Sequence, residues 1–416
     1  MHRFSTPWGD LELTRFPAEP REQLRAWDAA DEYLLRRLAG PDAGTDAGPV
    51  GGGPVGGGAV GGGPADSGPA GGGPVDLSGE VVIVGDRWGA LATALAGRTP
   101  TTRVTQISDS HLGQQATLAN LRRNAPEARV RLLSTRDTSP ERTDVLLIRV
   151  PKSLALLEDQ LHRLAPAVRP ETVVVGTGMV SEIHTSTLRL FERILGPTRT
   201  SLAVRKARLI HCAPAQAPTS TVNPWPLRYA LPDGIGPLAG RFVTSHAGVF
   251  CADRLDIGTR LLLRHLPARS GPDRVVDLGC GNGVVGTAAA LANPGSEVLF
   301  VDESYQAVAS AEATFRANTD PAAKADFLVA DALTTLPPDS VDLVLNNPPF
   351  HSHRATTDTA ARHMFATARA ALRPGGELWV VGNRHLGYHL RLRRLFGNCE
   401  VVASDPKFVI LRAVKR

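Results

Sequence analysis

The sequence predicts an α/β protein built from two tandem units, each a doubly wound, mostly parallel sheet, with the first unit degenerate at its loops. Three observations predict it. Short apolar runs rich in Val and Ile alternate with helical stretches, as strands covered on both faces do. That order runs through the chain twice. The second pass closes on "EVVASD" and "KFVILRAVK", joined by "PK" too tightly for a crossover helix, hence an antiparallel C-terminal hairpin.

The elements follow in order. "REQLRAWDAADEYLLRRL" is an amphipathic helix that needs an apolar partner. "EVVIVGD" is a buried strand and "ALATALAG" a helix, followed by "RVTQISD", "QQATLANLRRNA", "ARVRLLS", "TDVLLIRVP", the helix "LALLEDQLHRLAPAV" and "ETVVVGTGM". The second pass reads "DRVVDLG", "GVVGTAAALA", "EVLFVDE", "SYQAVASAEATFRAN", "DFLVADA", "VDLVLNNPPF", "AARHMFATARAAL" and "GELWVVGN". Residues 44–76 repeat a five-residue pattern of Gly, Pro, Ala and Val that cannot fill a core and read as a disordered insert. The joint is expected in the proline- and glycine-rich span 218–237, giving domains 1–217 and 238–416.

At 416 residues, 42% hydrophobic and 21% charged, the chain suits a soluble two-domain protein. No apolar run approaches the roughly 18 residues of a membrane helix, and the start lacks a secretory h-region. Cys212, Cys251, Cys280 and Cys399 lack metal-ligand spacing and read as reduced thiols of a cytosolic protein; no metal is expected. The net charge of +5 permits an anionic partner without demanding one.

"DLGCGNGVVG" turns directly from strand into helix. Gly281, Gly283 and Gly286 satisfy G-x-G-x-x-G, with Asp302 at the distance of a ribose-binding acid, so the loop alone fits a nicotinamide dinucleotide. The same letters satisfy D-x-G-x-G-x-G through Asp277, Gly279, Gly281 and Gly283, which fits S-adenosylmethionine: bare backbone approaches the methionine moiety and a helix N-terminus faces its carboxylate. Asp302, ending the second strand, is placed to accept from ribose hydroxyls, and Asp331, ending the third, from the adenine amine. Both acids also fit a plain role as helix caps.

"NNPPF" ends the fourth strand, at the same sheet edge as the loop, and favours the second cofactor. Two prolines forfeit backbone donors and stiffen the corner. Methylating the exocyclic amine of a base needs acceptors for both N–H hydrogens, so that the lone pair meets the methyl carbon. Asn347 offers a side-chain oxygen, Pro348 a fixed carbonyl, and Phe350 a face for stacking a flipped base. His351 and Arg354 lie over the mouth of this site. Upstream, Phe250, Asp256 and Thr259 either cover the cofactor or simply begin a helix.

The first half lacks this equipment. Its loop, "VGDRWGALA", keeps one glycine where three are wanted, with Arg87 and Trp88 filling the space, and Val150–Pro151–Lys152 replaces the corner. Arg149, Lys152, Arg205, Lys206 and Arg208 suggest contact with RNA instead.

"LTRFPAEPREQLRAWDAADEYLL", "SDSHLGQQATLANLRRN", "VPKSLALLEDQL", "SLAVRKARLIH", "GVFCADRLDIGTRLLL" and "DLGCGNGVVG…NNPPFH" resemble, in order and spacing, the ribosomal RNA large subunit guanine-N2 methyltransferases, whose close relatives modify the small subunit. The resemblance spans all but the insert. It implies two Rossmann-like methyltransferase domains, the first degenerate and helping to bind ribosomal RNA, the second transferring methyl from S-adenosylmethionine to the N2 of one guanine. Gly279, Gly281, Gly283, Asp302 and Asp331 match the cofactor motifs, and Asn347, Pro348 and Phe350 match the target motif; Asp277 and Asn347 are also expected among the cofactor-binding residues. The alternative is another amine substrate: a small-subunit guanine, a DNA adenine or a protein glutamine.

Overall fold

A computed structural model describes residues 1–17, 23–40, 73–216, 222–349 and 354–416, with only the backbone of 354–358. The insert read at 44–76 lies outside the described residues up to position 72. The chain divides into two units, Met1–Ser108 with Gly113–Asn223, and Asp109–Leu112 with Pro224–Arg416.

The first unit begins with a hairpin of β1 (His2–Thr6) and β2 (Gly9–Leu13), followed by α1 (Ala29–Ala39). Its sheet is built from β3 (Glu80–Val84), α2 (Ala90–Leu95), β4 (Arg103–Ser108), α3 (His111–Asn124), β5 (Val130–Ser134), β6 (Val145–Arg149), α4 (Leu154–Leu164), β7 (Val173–Met179), α5 (Thr185–Ile194), β8 (Thr198–Thr200) and β9 (Ala207–Cys212). The strand order is β5-β4-β3-β6-β7-β9-β8, antiparallel only at β9 and β8. The continuous apolar runs have two-sided burial as their cause. Val81 and Ile83 pack with Leu34, Leu35 and Leu91 on one face, while Val82 and Val84 pack with Leu157, Leu161 and Phe191 on the other.

The glycine loop of this unit is less degenerate than the letters suggest. Two of its glycines persist, Gly85 at φ 75° and Gly89 at φ 77°; a Cβ on Gly89 would lie 2.6 Å from Thr117 Cα. Arg87 replaces the middle one and pairs with Glu182 at 2.6 Å and Asp28 at 3.4 Å. Arg149 does not serve RNA. Its side chain is 1% exposed and lies 2.6 Å from Asp28, 2.9 Å from Glu182 and 3.4 Å from Asp31. Burial pushes Asp31 up to about 7, whereas for Glu182 the two guanidiniums outweigh burial and hold it at about 2.

The second unit opens with a hairpin of β10 (Leu227–Ala230) and β11 (Phe242–Ser245), so the span expected to be linker, 218–237, is in part structured. The cause is apolar: Leu231, Ile235 and Leu238 are buried against Val243, Leu263 and Val284. The sheet follows from α6 (Ile257–Leu263), β12 (Arg274–Leu278), α7 (Val284–Ala292), β13 (Glu297–Asp302), α8 (Tyr305–Asn318), β14 (Lys324–Val329), β15 (Val341–Asn346), α9 (Arg354–Ala371), β16 (Leu372–Asn383), α10 (Tyr388–Phe396), β17 (Glu400–Ser404) and β18 (Phe408–Val414). Its order, β14-β13-β12-β15-β16-β18-β17, repeats that of the first unit strand for strand, and the expected C-terminal hairpin is present. Among the described residues no helix is long and apolar enough to cross a membrane.

Removing one partner of a buried ionic cluster strands the others. Arg149→Ala is therefore expected to destabilise the first unit by roughly 3–5 kcal/mol in urea denaturation, while Lys152→Ala, on the surface, costs almost nothing. A loss for Arg149→Ala as small as that for Lys152→Ala would show that the cluster is not structural.

Candidate active site

The loop leaving β12 runs through Gly279, Gly281 and Gly283, at φ 69°, 52° and 75°. Two of them need glycine for different reasons. A Cβ on Gly283 would lie 2.6 Å from Ala311 Cα, so this position lets α8 pack against the loop. A Cβ on Gly281 would meet nothing within 4 Å. Its left-handed φ demands glycine, and the result is bare backbone facing open space.

Three acids were expected around this loop, and the structure gives each a different setting. Asp302, at the end of β13, accepts the Gly281 N–H on Oδ2 at 3.1 Å and the Ser304 N–H on Oδ1 at 3.0 Å. Burial raises its pKa above the ordinary carboxylate range. Asp331 lies two residues past β14, its carboxylate 3.0 Å from Nε2 of His363 on α9. That carboxylate holds the imidazole above the usual histidine range against the opposing effect of burial. Asp277 does not face the crevice. It is 2% exposed beneath the loop, where Oδ2 accepts the Gly286 N–H at 2.7 Å and burial pushes it up to about 8. It ties β12 to α7, and the expectation that it contacts the cofactor is corrected to a supporting role.

The corner meets the loop directly. Asn346 is aligned with Leu278 across the parallel β12–β15 pair, and its Nδ2 donates to the Leu278 carbonyl at 2.7 Å. The same Nδ2 would lie 3.8 Å from a Cβ on Gly279. Asn347, the next residue, donates from Nδ2 to Thr259 Oγ1 at 2.9 Å. Its Oδ1 is buried and has no hydrogen-bond partner among the described residues. Pro348 is buried and Pro349 exposed. Phe350 and His351 lie outside the described residues, as does the side chain of Arg354.

Of the softer upstream residues, Phe250 is half exposed at 51%. Asp256 caps α6, accepting the Thr259 N–H on Oδ2 at 2.9 Å. The sequence reading missed His363 and the Thr259–Asn347 bond; neither has a local signal, since both partners are distant in sequence. Cys280, within the loop, is buried and its thiol is pushed well above its usual pKa by that burial, which leaves it a poor nucleophile.

The edge thus gathers bare backbone, two carboxylates at the ends of adjacent strands and a carboxamide oxygen with spare acceptor capacity. Such a set receives hydroxyl and amine hydrogens.

Comparison with known proteins shows the family. Residues 240–412 match the family model of the Methyltransferase small domain, and residues 1–50 with 73–216 match that of the RLMG N-terminal domain, interrupted inside the glycine-rich insert. The Ribosomal RNA large subunit methyltransferase G of Streptomyces griseus subsp. griseus is 64% identical, with all of both chains covered. The protein of that name from Stutzerimonas stutzeri is 44% identical over 99% of this chain and 98% of its own. Among solved structures, a T. thermophilus 16S rRNA N2 G1207 methyltransferase, in complex with AdoMet and guanosine, aligns with a TM-score of 0.67 at 23% identity, covering 82% of this chain and 90% of that one. The last likeness establishes the shared fold. With full-length identity at this level, the chain belongs to the ribosomal RNA large subunit methyltransferase G family.

Proposed function

We propose that the chain transfers a methyl group from S-adenosylmethionine to the exocyclic N2 of a guanine in large-subunit ribosomal RNA. The observation that carries this reading is the Asn347 carboxamide, whose Nδ2 is engaged by Thr259 while Oδ1 is left without a partner. A buried acceptor without a donor costs about 1–3 kcal/mol, a cost that an amine donor from the substrate would remove. Support comes from the full-length relatives of that name.

The residues fit the cofactor. Gly281 keeps its backbone bare where a side chain would project, and Asp302 and Asp331 carry carboxylates at the ends of β13 and β14. Gly279, Gly281 and Gly283 would admit the methionine moiety, Asp302 the ribose hydroxyls and Asp331 the adenine amine. When bound, S-adenosylmethionine supplies an electrophilic methyl on a sulfonium centre. The chain's part is positional. Asn347 Oδ1 and the Pro348 carbonyl accept the two hydrogens of the target amine, turning its lone pair toward the methyl carbon, and Phe350 stacks on the extruded base. The proton leaves after methylation, when the nitrogen has become acidic, so solvent suffices as its acceptor.

RNA is held in part by the first unit, through exposed Lys152, Arg205 and Lys206. These contacts are salt-dependent and indifferent to base identity.

Two tests follow. Deleting the gene should abolish N2-methylguanosine at one large-subunit position, read by mass spectrometry of the ribosomal RNA; an unchanged modification pattern refutes the assignment, and a loss in small-subunit RNA moves the substrate there. Asn347→Ala should lower kcat by roughly 10²-fold or more with little change in S-adenosylmethionine affinity, whereas Asp302→Ala should chiefly weaken that affinity. Equal effects of both variants on both quantities would contradict the division of labour.

A further inference from the structure

A carboxamide presents two ends of nearly the same shape and opposite hydrogen-bonding character. If Asn347 were turned about its last bond, an NH2 group would face the position proposed for the target amine, and donor would meet donor. Something must fix the amide. Thr259 alone cannot, because a hydroxyl accepts from nitrogen or donates to oxygen with equal ease. Asp256 removes that freedom. Its Oδ2 lies 3.3 Å from Thr259 Oγ1 and 2.9 Å from Thr259 N, and a carboxylate only accepts. The hydroxyl hydrogen therefore points to Asp256, leaving only lone pairs toward Asn347, and these take Nδ2 at 2.9 Å. Oδ1 is thereby the end left for the substrate.

The first unit makes the same connection with different chemistry. Val84 aligns with Ile148 as Leu278 aligns with Asn346, so Arg149 occupies the place of Asn347. Asp28 caps α1 and Asp31 stands at its third position, as Asp256 caps α6 and Thr259 stands third there. Arg149 lies 2.6 Å from Asp28 and 3.4 Å from Asp31. In both units, then, the helix before the first strand meets the residue that follows the alignment of strands one and four: Asp28 and Asp31 contact Arg149 directly, whereas Thr259 contacts Asn347 and Asp256 reaches it only through Thr259.

We infer that Thr259 and Asp256 are positioning residues that set the orientation of the Asn347 carboxamide, and that catalysis depends on this helix cap as well as on the corner it serves. The inference rests on the reading of Asn347 as acceptor of the target amine. In steady-state assays of the full chain on its ribosomal RNA substrate, Thr259→Val, which retains the shape and the backbone cap, should lower kcat about tenfold or more, the scale of one hydrogen bond. S-adenosylmethionine affinity and thermal midpoint should stay near wild type, and Thr259→Ser should restore kcat to within a few-fold. Asp256→Asn, which lets the hydroxyl turn, should fall between Val and wild type. Wild-type kcat in Thr259→Val, while Asn347→Ala is impaired, overturns the positioning role and leaves the proposed function standing; so does a Ser variant as slow as Val. An Asn347→Ala enzyme at full kcat removes the premise itself.

Discussion

The parallel pairing of β12 with β15 is the constraint on which the site depends. β12 has β13 on one side and β15 on the other, so successive connections leave its carboxyl end in opposite directions and open a crevice there. Asp302 arrives from one neighbour and Asn347 from the other, with the glycine loop between them. Register matters as much as adjacency. A one-residue slip of β15 would turn Asn347 to the face now held by Asn346. The bond from Asn346 Nδ2 to the Leu278 carbonyl, made by a fully buried side chain, opposes that slip. The first asparagine of the pair thus fixes the position of the second.

The two units share a strand order and differ in what occupies the crevice. In the first, Arg87 and Arg149 are paired within the unit with Asp28, Asp31 and Glu182. In the second, Gly281 leaves its backbone open and Asn347 keeps an acceptor in reserve. One edge is filled by ion pairs, and the other keeps open backbone at Gly281 and an acceptor on Asn347. The sheet beneath has the same strand order in both units, while the residues at its edge differ.

Most of the fold was legible because both faces of each sheet are covered, which writes strands as unbroken apolar runs. The loop and corner were legible because their chemistry needs particular residues in sequence. Direction was not. The spacing D-x-G-x-G-x-G places Asp277 beside the loop, but only the packed strand puts its carboxyl underneath, against the Gly286 N–H. Arg149 follows the run "VLLI" and reads as a strand-end cation free for RNA; its burial depends on Asp28, 121 positions earlier. The segment after 227 resembles linker by composition, because its three buried apolar residues are scattered among prolines and glycines. Each miss concerns the direction or packing of a side chain, which the local letters do not specify.

A neutral amide at the corner raises an orientational problem that a carboxylate would not. Both oxygens of a carboxylate accept, so either rotamer serves; an asparagine is correct in one of two nearly isosteric states. The charge that settles the choice sits two hydrogen bonds away, on Asp256, passed through the Thr259 hydroxyl. That distance has a physical advantage, because an anion in direct contact with Nδ2 would fix the amide but also occupy the corner. Thr259 transmits the acceptor character of a carboxylate without its charge. In the first unit Asp31 stands where Thr259 does, and its contact with Arg149 becomes a direct ion pair. A hydroxyl at this helix position leaves Asn347 a neutral acceptor, whereas in the first unit a carboxylate there meets the guanidinium of Arg149, which has no acceptor to offer.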